Sequence, residues 1–373
     1  MKKNITGTGM PRRKQQAREQ KREELTIGID IGDRSSSYCI LDETGEVRVA
    51  GSLKTTRASL RECFGKLQRS RVAIEAGTHS AWVERVLGEC GHEVIVANAR
   101  AIPLLTANSG KRDPIDAEML ARMARVDPKL LRPIRHRSPE AHGHLMMIRA
   151  RRILVETRTK LMNAARGLVK PLGERLPSCS PAAATVRLAE ELEAAARAAI
   201  EPLLKAVEAL NLQIQEADKR IEAIAREHYA EEVRRLTQVK GVGTLVALTF
   251  VLTLEDPARF RKSREVGCYI GARPRRDQSG ESNPQLGITK EGDQYLRTLL
   301  VNSAQYILGQ FGPDTDVRRW GLKLCARGGG NARKRAVVAV ARKLSVLLHR
   351  LWVSGEAYEP LRNSRTAAPA AAA

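Results

Sequence analysis

The chain has 373 residues, which is long enough for two or three domains with cores of their own. Its 64 Lys and Arg residues against 42 Asp and Glu give a formal net charge of +22, which favours a polyanionic partner, with nucleic acid as the first candidate. Aromatic residues make up only 3%, which argues against base stacking as the main contact and favours Arg and Lys on backbone phosphates.

The cysteine pattern and the hydropathy of the chain indicate in which cellular compartment the protein is expected. The six cysteines include no CxxC pair, and the seven histidines form no zinc-binding pattern beside them. Reduced thiols in a cytoplasmic protein are therefore the expectation. No apolar stretch reaches membrane-spanning length and the N-terminus lacks a signal-peptide core, so we predict a soluble protein with no membrane partner.

The two ends of the chain carry no core pattern. Residues 1–24 hold eight Lys and Arg and three Glu, which predicts a flexible basic arm; a start-site extension without a role is the open alternative. The tail, residues 363–373, is rich in Ala and predicts disorder.

Residues 25–130 alternate between strands and helices. Apolar and β-branched runs predict strands at 25–31, 37–41, 47–53, 72–75 and 93–97. Helices are predicted near 59–67 and 80–89, and from Asp113 to a point before Asp127. Three antiparallel strands followed by alternating helices and strands is the order of a ribonuclease-H-like (RuvC-like) α/β domain.

Four acids stand at informative positions in this region. Asp30 lies in the first strand, where a buried lone charge is costly unless a metal or a partner compensates it, and a cap of the next turn is the plain alternative. Glu75 ends the fourth strand, and Asp113 and Asp116 open the last helix, where capping alone would also explain them. In ribonuclease-H-like nucleases such acids converge, and four carboxylates would hold one or two Mg²⁺ ions.

A long helical segment follows at 139–230. Apolar residues recur at alternating steps of three and four, which predicts a coiled coil paired with a preceding helix, 140–170, across a break at 171–181. The residues of this seam are Ile200, Leu203, Val207, Leu210, Ile214, Ala217, Ile221 and Ile224. The seam could form the core of a hairpin within one chain or join two chains in a homodimer.

Residues 233–353 predict a mostly helical C-terminal domain. Gly241 and Gly243 lie between two apolar helices, as in a helix-hairpin-helix that offers backbone N–H groups to phosphate, although glycines also end helices for packing reasons. The last helix, 331–353, has six Lys and Arg and no acid, which predicts a DNA-backbone surface. Its first basic residues are Arg333, Lys334 and Arg335.

A basic loop rich in Ser and Gly lies inside this domain. Ser279 and Ser282 are surrounded in the sequence by cations, and a solvated surface loop is the plain interpretation of such a composition. The candidate phosphate-binding cations of this segment are Arg273, Arg275, Arg276, Lys290 and Arg297. In the N-terminal region, Lys111 and Arg112 precede the acidic pair and would draw in a phosphate.

Seven segments of the chain resemble those of a known protein family over about residues 25–353, and their order and spacing match those of the family throughout. They read IGIDIGDRSS, AIEAGTHS, KRDPIDAEMLARMA, LTQVKGVG, REVGCYIGARPRRDQSGES, ITKEGDQYLRTLLV and KRAVVAVARKL. The chain thereby resembles the DEDD transposases of the insertion sequence 110 / 1111 group, and the DQSGES…ITKEGD form resembles the 1111 branch.

The resemblance implies a recombinase that moves its own element. Asp30, Glu75, Asp113 and Asp116 match the Mg²⁺ ligands, and Ser279 matches the nucleophile, with Ser282 as the second choice. It also implies donor and target DNA as partners, a structured bridge-type guide RNA, and homodimers assembling to a tetramer in which one subunit's carboxylates meet another's serine. A nucleoid-associated, prokaryotic-type protein is expected.

Three other functions stay open on the sequence. A sugar-kinase or actin-like ATPase also opens with a DIG…S hairpin, but no later Gly-rich adenosine motif is found and the high positive charge does not suit a metabolic kinase. A RuvC-like nuclease that cuts through water alone would leave Ser279 structural. A non-catalytic nucleic-acid-binding protein, including a decayed transposase, is the third.

Overall fold

The structure, a computed structural model, describes residues 25–98 and 113–363 except positions 277, 281, 283 and 285, and the side chains of Asp113 and Pro114. The basic arm, Lys111, Arg112 and the tail beyond residue 363 lie outside the described residues. The chain forms two compact units, one ending at Arg137 and one beginning at Ser138. The second unit contains both the long helical segment and the C-terminal segment.

The first unit contains a mixed five-stranded sheet in the order β3-β2-β1-β4-β5. Its strands are β1 (Thr26–Ile31), β2 (Ser35–Leu41), β3 (Val47–Lys54), β4 (Arg71–Glu75) and β5 (Glu93–Ala97). The first three strands are antiparallel, and β4 and β5 run parallel to β1. The predicted meander is therefore confirmed, and its strand bounds agree to within about two residues.

Helices cover both faces of this sheet. Helices α1 (Arg57–Phe64) and α2 (Ser80–Glu89) pack on the face that carries Ile27 and Ile29. Helix α3 (Asp113–Val126) packs on the other face, where Ala73 of β4 contributes to its core. Because side chains alternate between the faces of a strand, the even-numbered residues of β1 lie on the α3 face.

Gly28 allows α3 to lie directly on β1. A Cβ atom built at Gly28 would be 1.9 Å from the carbonyl oxygen of Ala117 and 2.6 Å from the nitrogen of Ala121. No side chain fits in that space, so the IGID sequence of β1 sets how closely the helix approaches the sheet.

The second unit begins with an antiparallel helical hairpin. Helices α4 (Pro139–Leu168) and α5 (Ala194–His228) are joined by a loop with three short 3₁₀ turns. Arg151 donates to Asp218 at 2.7 Å, and Arg158 donates to Asn211 at 2.8 Å, which shows that the two helices run in opposite directions. The hairpin predicted from the heptad pattern is present.

The predicted seam is used inside the chain. Ile200, Val207, Ile214, Ala217 and Ile221 are all buried, and the other three seam residues are half-buried. Ile200, Leu203 and Val207 pack with α4 and the turns that follow it in one cluster, and Ile221 and Ile224 pack with the remaining helices in another. The apolar stripe thus forms the core of a hairpin within one chain.

The remaining helices enclose the largest core of the second unit. They are α6 (Ala230–Leu236), α7 (Thr244–Leu254), α8 (Arg264–Tyr269), α9 (Gln294–Leu308), α10 (Asp316–Cys325) and α11 (Ala332–Ser354). Helix α7 is apolar on all sides and is buried from Ala247 to Leu254, as expected for a central helix. A tight turn with Gly241 joins α6 to α7. None of the helices in the described residues is long and apolar enough to cross a membrane.

Candidate functional site

Two of the predicted carboxylates lie side by side on neighbouring strands. The β1–β4 register pairs Gly28 with Ala73 and Ile29 with Ile74, so Asp30 and Glu75 come next at the carboxyl ends of the two strands. Both side chains lie two residues beyond Gly28 and Ala73, on the α3 face. Both are half-buried.

Helix α3 brings its first turn to the same edge. It runs antiparallel to β1: Ala117 lies against Gly28, whereas Ala124, further along the helix, accepts a bond of 3.4 Å from Arg71 at the start of β4. The N-terminal end of α3 is consequently near the carboxyl ends of β1 and β4, where Asp30 and Glu75 lie. The half-buried Asp116 and the backbone of Asp113 belong to this end.

The four residues predicted for this site are all carboxylic acids. Carboxylate oxygens are the ligands of hard cations such as Mg²⁺, and no thiol or imidazole is among the four residues. Asp30, Glu75 and Asp116 reach the edge from three different elements that the sheet register and the Gly28 contact hold in place. Their chemistry therefore fits a Mg²⁺ ion, with Asp113 beside them through its backbone position.

Two isolated antiparallel bridges join the two sides of the predicted serine loop, which is called the ribbon below. Isolated bridges pair Pro274 with Ile288 and Ser279 with Ser282. Ser279 and Ser282 exchange both backbone hydrogen bonds, at 3.3 Å and 3.0 Å, around a turn that contains Gly280. Both serines are exposed. The described part of the loop therefore presents two exposed serines on either side of its turn, as expected for a solvated loop.

The base of the ribbon is anchored by close backbone contacts. A Cβ at Gly271 would lie 1.9 Å from the carbonyl oxygen of Glu291, and one at Gly292 would lie 2.0 Å from that of Tyr269. Arg297 donates to the carbonyl oxygens of Ile270 and Glu291 at 3.0 Å and 2.6 Å. Burial lowers the pKa of the Arg297 guanidinium, and nearby Asp293 opposes that shift. These contacts favour a structural role for Arg297 over direct contact with a phosphate.

Exposed cations lie in the ribbon segment and in the first turn of the last helix. The exposed basic residues of the ribbon segment are Arg273, Arg275, Arg276 and Lys290. Arg333, Lys334 and Arg335 are exposed in the first turn of α11, which contains no acidic residue. Positive charge at a helix N-terminus opposes the helix dipole, so this placement is unfavourable for the helix and is typical of a surface that binds an anion.

Comparisons with known proteins cover both units. Residues 27–172 match a family model of DEDD transposases of the IS110 type, described as Transposase, and residues 233–317 match one described as Transposase IS116/IS110/IS902 family. The first range contains the four acids and the second contains Ser279.

Curated relatives span most of the chain. The transposase for insertion sequence element IS1111A of Coxiella burnetii is 29% identical, over 89% of this chain and 90% of the relative. A probable family 20 transposase of Pseudomonas aeruginosa is 29% identical, over 90% of this chain and 98% of the relative. The putative transposase y4pF/y4sB of Sinorhizobium fredii is 30% identical, over 82% of this chain and 78% of the relative.

These matches define the class of enzyme as a DNA transposase or recombinase. Within that class, the chain belongs to the IS110-type transposase family with the DEDD N-terminal region and the IS116/IS110/IS902 C-terminal region. The family predicted from the seven sequence segments is thereby confirmed.

Proposed function

We propose that this transposase breaks and rejoins DNA through a covalent link to Ser279, with the carboxylate edge of the first unit holding Mg²⁺. The observation that carries the proposal is the position of Ser279. Its hydroxyl stands exposed at the tip of a ribbon whose base is anchored to the core, among arginines that can hold a phosphate. A nucleophile on an anchored element can be aimed at a phosphodiester more accurately than one on a free loop.

The serine step is an exchange of phosphodiester bonds. The Ser279 Oγ–H loses its proton and Oγ forms a bond to phosphorus. The bond from phosphorus to one deoxyribose oxygen breaks, and that oxygen takes up a proton. Rejoining runs the exchange in reverse with a deoxyribose hydroxyl of another strand, so the number of phosphoester bonds is conserved and no external energy source is needed.

The carboxylate edge supports a metal-assisted step. The strand order β3-β2-β1-β4-β5, with acids on β1, on β4 and at the start of α3, fits the ribonuclease-H-like (RuvC-like) arrangement. Asp30, Glu75, Asp113 and Asp116 would hold Mg²⁺. The bound ion would supply charge stabilisation at the oxygens around the reacting phosphate.

The cationic surfaces would position the DNA. Arg273, Arg275 and Arg276 lie beside the serine ribbon, and the first turn of α11 adds a second cluster. Each Lys or Arg that neutralises a phosphate releases counterions, so binding by these surfaces should weaken steeply with salt. The half-buried start of α7, which follows the Gly241 turn and the exposed Gly243, would offer backbone N–H groups to a further phosphate.

A guide RNA and a tetramer complete the proposal. The net charge of +22 allows the chain to bind a structured RNA together with donor and target DNA. Homodimers that associate into tetramers would supply the four serine groups that a two-duplex exchange requires. Omission of the element's non-coding RNA from a reconstituted reaction should abolish recombination between matched DNA sites.

The test of the nucleophile compares the two serines of the ribbon. Purified wild-type protein, Ser279→Ala and Ser282→Ala are incubated with donor and target DNA, the element's non-coding RNA and Mg²⁺, then denatured and separated before and after protease treatment. We expect a protease-sensitive protein–DNA adduct from wild type and Ser282→Ala and none from Ser279→Ala. Adduct formation by Ser279→Ala would refute the assignment. Cleavage without any adduct would favour a RuvC-like nuclease that uses water.

A further inference from the structure

Three side chains outside the proposed reaction meet where α5 ends beside the start of α4. They are Glu140, His144 and His228, and the ligand atoms that they offer all lie within 4.8 Å of one another. The Nδ1 atom of His228 is 3.2 Å from a carboxylate oxygen of Glu140. The imidazole rings of His144 and His228 have centroids 4.9 Å apart. Among the side chains that the structure describes, this is a group with the composition and spacing of a metal site.

The fold explains why these residues meet. Glu140 and His144 are four residues apart on α4 and so share one face of the helix. His228 is the last residue of α5, which runs antiparallel to α4 and therefore ends beside the start of α4. The contact depends on the hairpin, and it lies at the point where α5 gives way to α6.

The distances suit a tetrahedral ion. Zn²⁺ binds imidazole nitrogen and carboxylate oxygen at about 2.0–2.2 Å, so two ligand atoms at a tetrahedral angle are separated by about 3.3–3.6 Å. The 3.2 Å between His228 and Glu140 is already close to that separation. No two of the three ligand atoms are more than 4.8 Å apart, so binding of one ion would draw Glu140 and His228 closer to His144.

Tyr229 holds one of the imidazoles in place. Its hydroxyl lies 3.0 Å from the Nδ1 atom of His144, and the two rings meet edge to face. The Tyr229 ring packs against the main core of the second unit. In the tautomer that donates Nδ1–H to this hydroxyl, the Nε2 lone pair of His144 serves as the metal ligand. Such a second partner on a ligating histidine is the usual arrangement in metal sites.

We propose that Glu140, His144 and His228 bind one divalent transition-metal ion of the Zn²⁺ class, with a water as fourth ligand. The two imidazoles select this class over Mg²⁺, which prefers oxygen ligands. The ion would link the first turn of α4 to the last turn of α5 and so stabilise the base of the hairpin. All three ligands belong to the second unit, and the site has no part in the Mg²⁺-dependent reaction proposed above.

The test uses the full-length chain freed of metal by a chelator. Zn²⁺ is titrated by calorimetry in excess Mg²⁺, which saturates the carboxylate edge, and Co²⁺ serves as a spectroscopic probe of coordination. The variants are Glu140→Gln and the double variant His144→Asn, His228→Asn. The matched control is His142→Asn, which changes a histidine of the same helix outside the group.

We expect wild type and His142→Asn to bind one Zn²⁺ per chain, with a rise in the unfolding temperature and the visible absorption of tetrahedral Co²⁺. The double variant should bind at least tenfold more weakly and lose both effects, and Glu140→Gln should be intermediate. Because the three side chains are partly exposed, we expect the variants to fold and to keep their Mg²⁺-dependent reaction. Absence of Zn²⁺ binding by wild type at micromolar concentration would overturn the proposal, as would equal binding by the double variant.

Discussion

Asp30 and Glu75 follow directly after Ile29 and Ile74, which are register partners on the parallel strands β1 and β4. The two carboxylates therefore lie at the same level, on the same face and at the same edge of the sheet. The isoleucines before them are fully buried, so neither strand can shift without moving a buried side chain to the wrong face. The register of the sheet therefore fixes where the two carboxylates lie relative to each other.

Asp30→Asn should slow metal-dependent strand cleavage by about 100-fold. The amide keeps the shape of the side chain but removes the negative charge that a Mg²⁺ ligand needs, and a loss of about 3 kcal/mol of transition-state stabilisation lowers the rate by about 100-fold. The measurement is strand cleavage against Mg²⁺ concentration. Asp33→Asn is the matched control, because the Asp33 side chain is 88% exposed beside the same strand. Wild-type cleavage by Asp30→Asn would contradict the role of the carboxylate edge.

Gly28→Val should destabilise the first unit, because its Cβ would collide with the backbone of Ala117 and force α3 away from the sheet. We expect a loss of about 3 kcal/mol or more in the free energy of unfolding, at the upper end for overpacked cores. Urea unfolding followed by circular dichroism measures it. The control Gly88→Ala should instead raise the free energy of unfolding by about 0.5–1 kcal/mol, since Ala favours a helix more than Gly does. Gly88 is an exposed position of α2 with open space for the added methyl group.

Ile214→Ala should destabilise the hairpin by about 2–4 kcal/mol, because Ile214 is only 4% exposed within one chain. The control Leu212→Ala, at a side chain that is 66% exposed, should be nearly neutral. Since the seam packs inside the chain, the loss should be the same at low and high protein concentration. A loss that appears only at concentrations where chains associate would show that the seam joins subunits.

Replacing Arg333, Lys334 and Arg335 by Gln should weaken DNA binding and reduce its salt dependence. Three lost phosphate contacts lower the slope of log K against log salt by about 2.7 for duplex DNA. The same change should slightly stabilise α11, since it removes cations from the helix N-terminus. Binding titrations at several salt concentrations and thermal unfolding measure the two effects. Lys205→Gln, an exposed ion-pair change on α5, is the control. An unchanged slope of log K against log salt would show that these three residues do not contact DNA phosphates.

Local patterns of the sequence determined the elements and the family. Apolar and β-branched runs predicted five strands in the first unit, and steps of three and four between apolar residues predicted the α5 stripe, because these signals depend only on the near neighbours of each residue. The motifs around Asp30, Glu75, Asp116 and Ser279 were sufficient for the resemblance that the family models confirmed. Their individual roles stay predictions.

Tertiary structure decided what depends on distant parts of the chain. The heptad stripe was compatible with packing against a partner chain or against α4. Only the burial of Ile200, Ile214 and Ile221 within a single chain shows that the stripe packs inside its own chain. The composition of the serine loop predicted a solvated loop. Only the tertiary structure shows that Gly271 and Gly292, at the base of this loop, lie against the backbone carbonyl oxygens of Glu291 and Tyr269. Glu140, His144 and His228 formed no motif along the sequence, because an antiparallel hairpin brings together residues whose separation in the chain follows no local period.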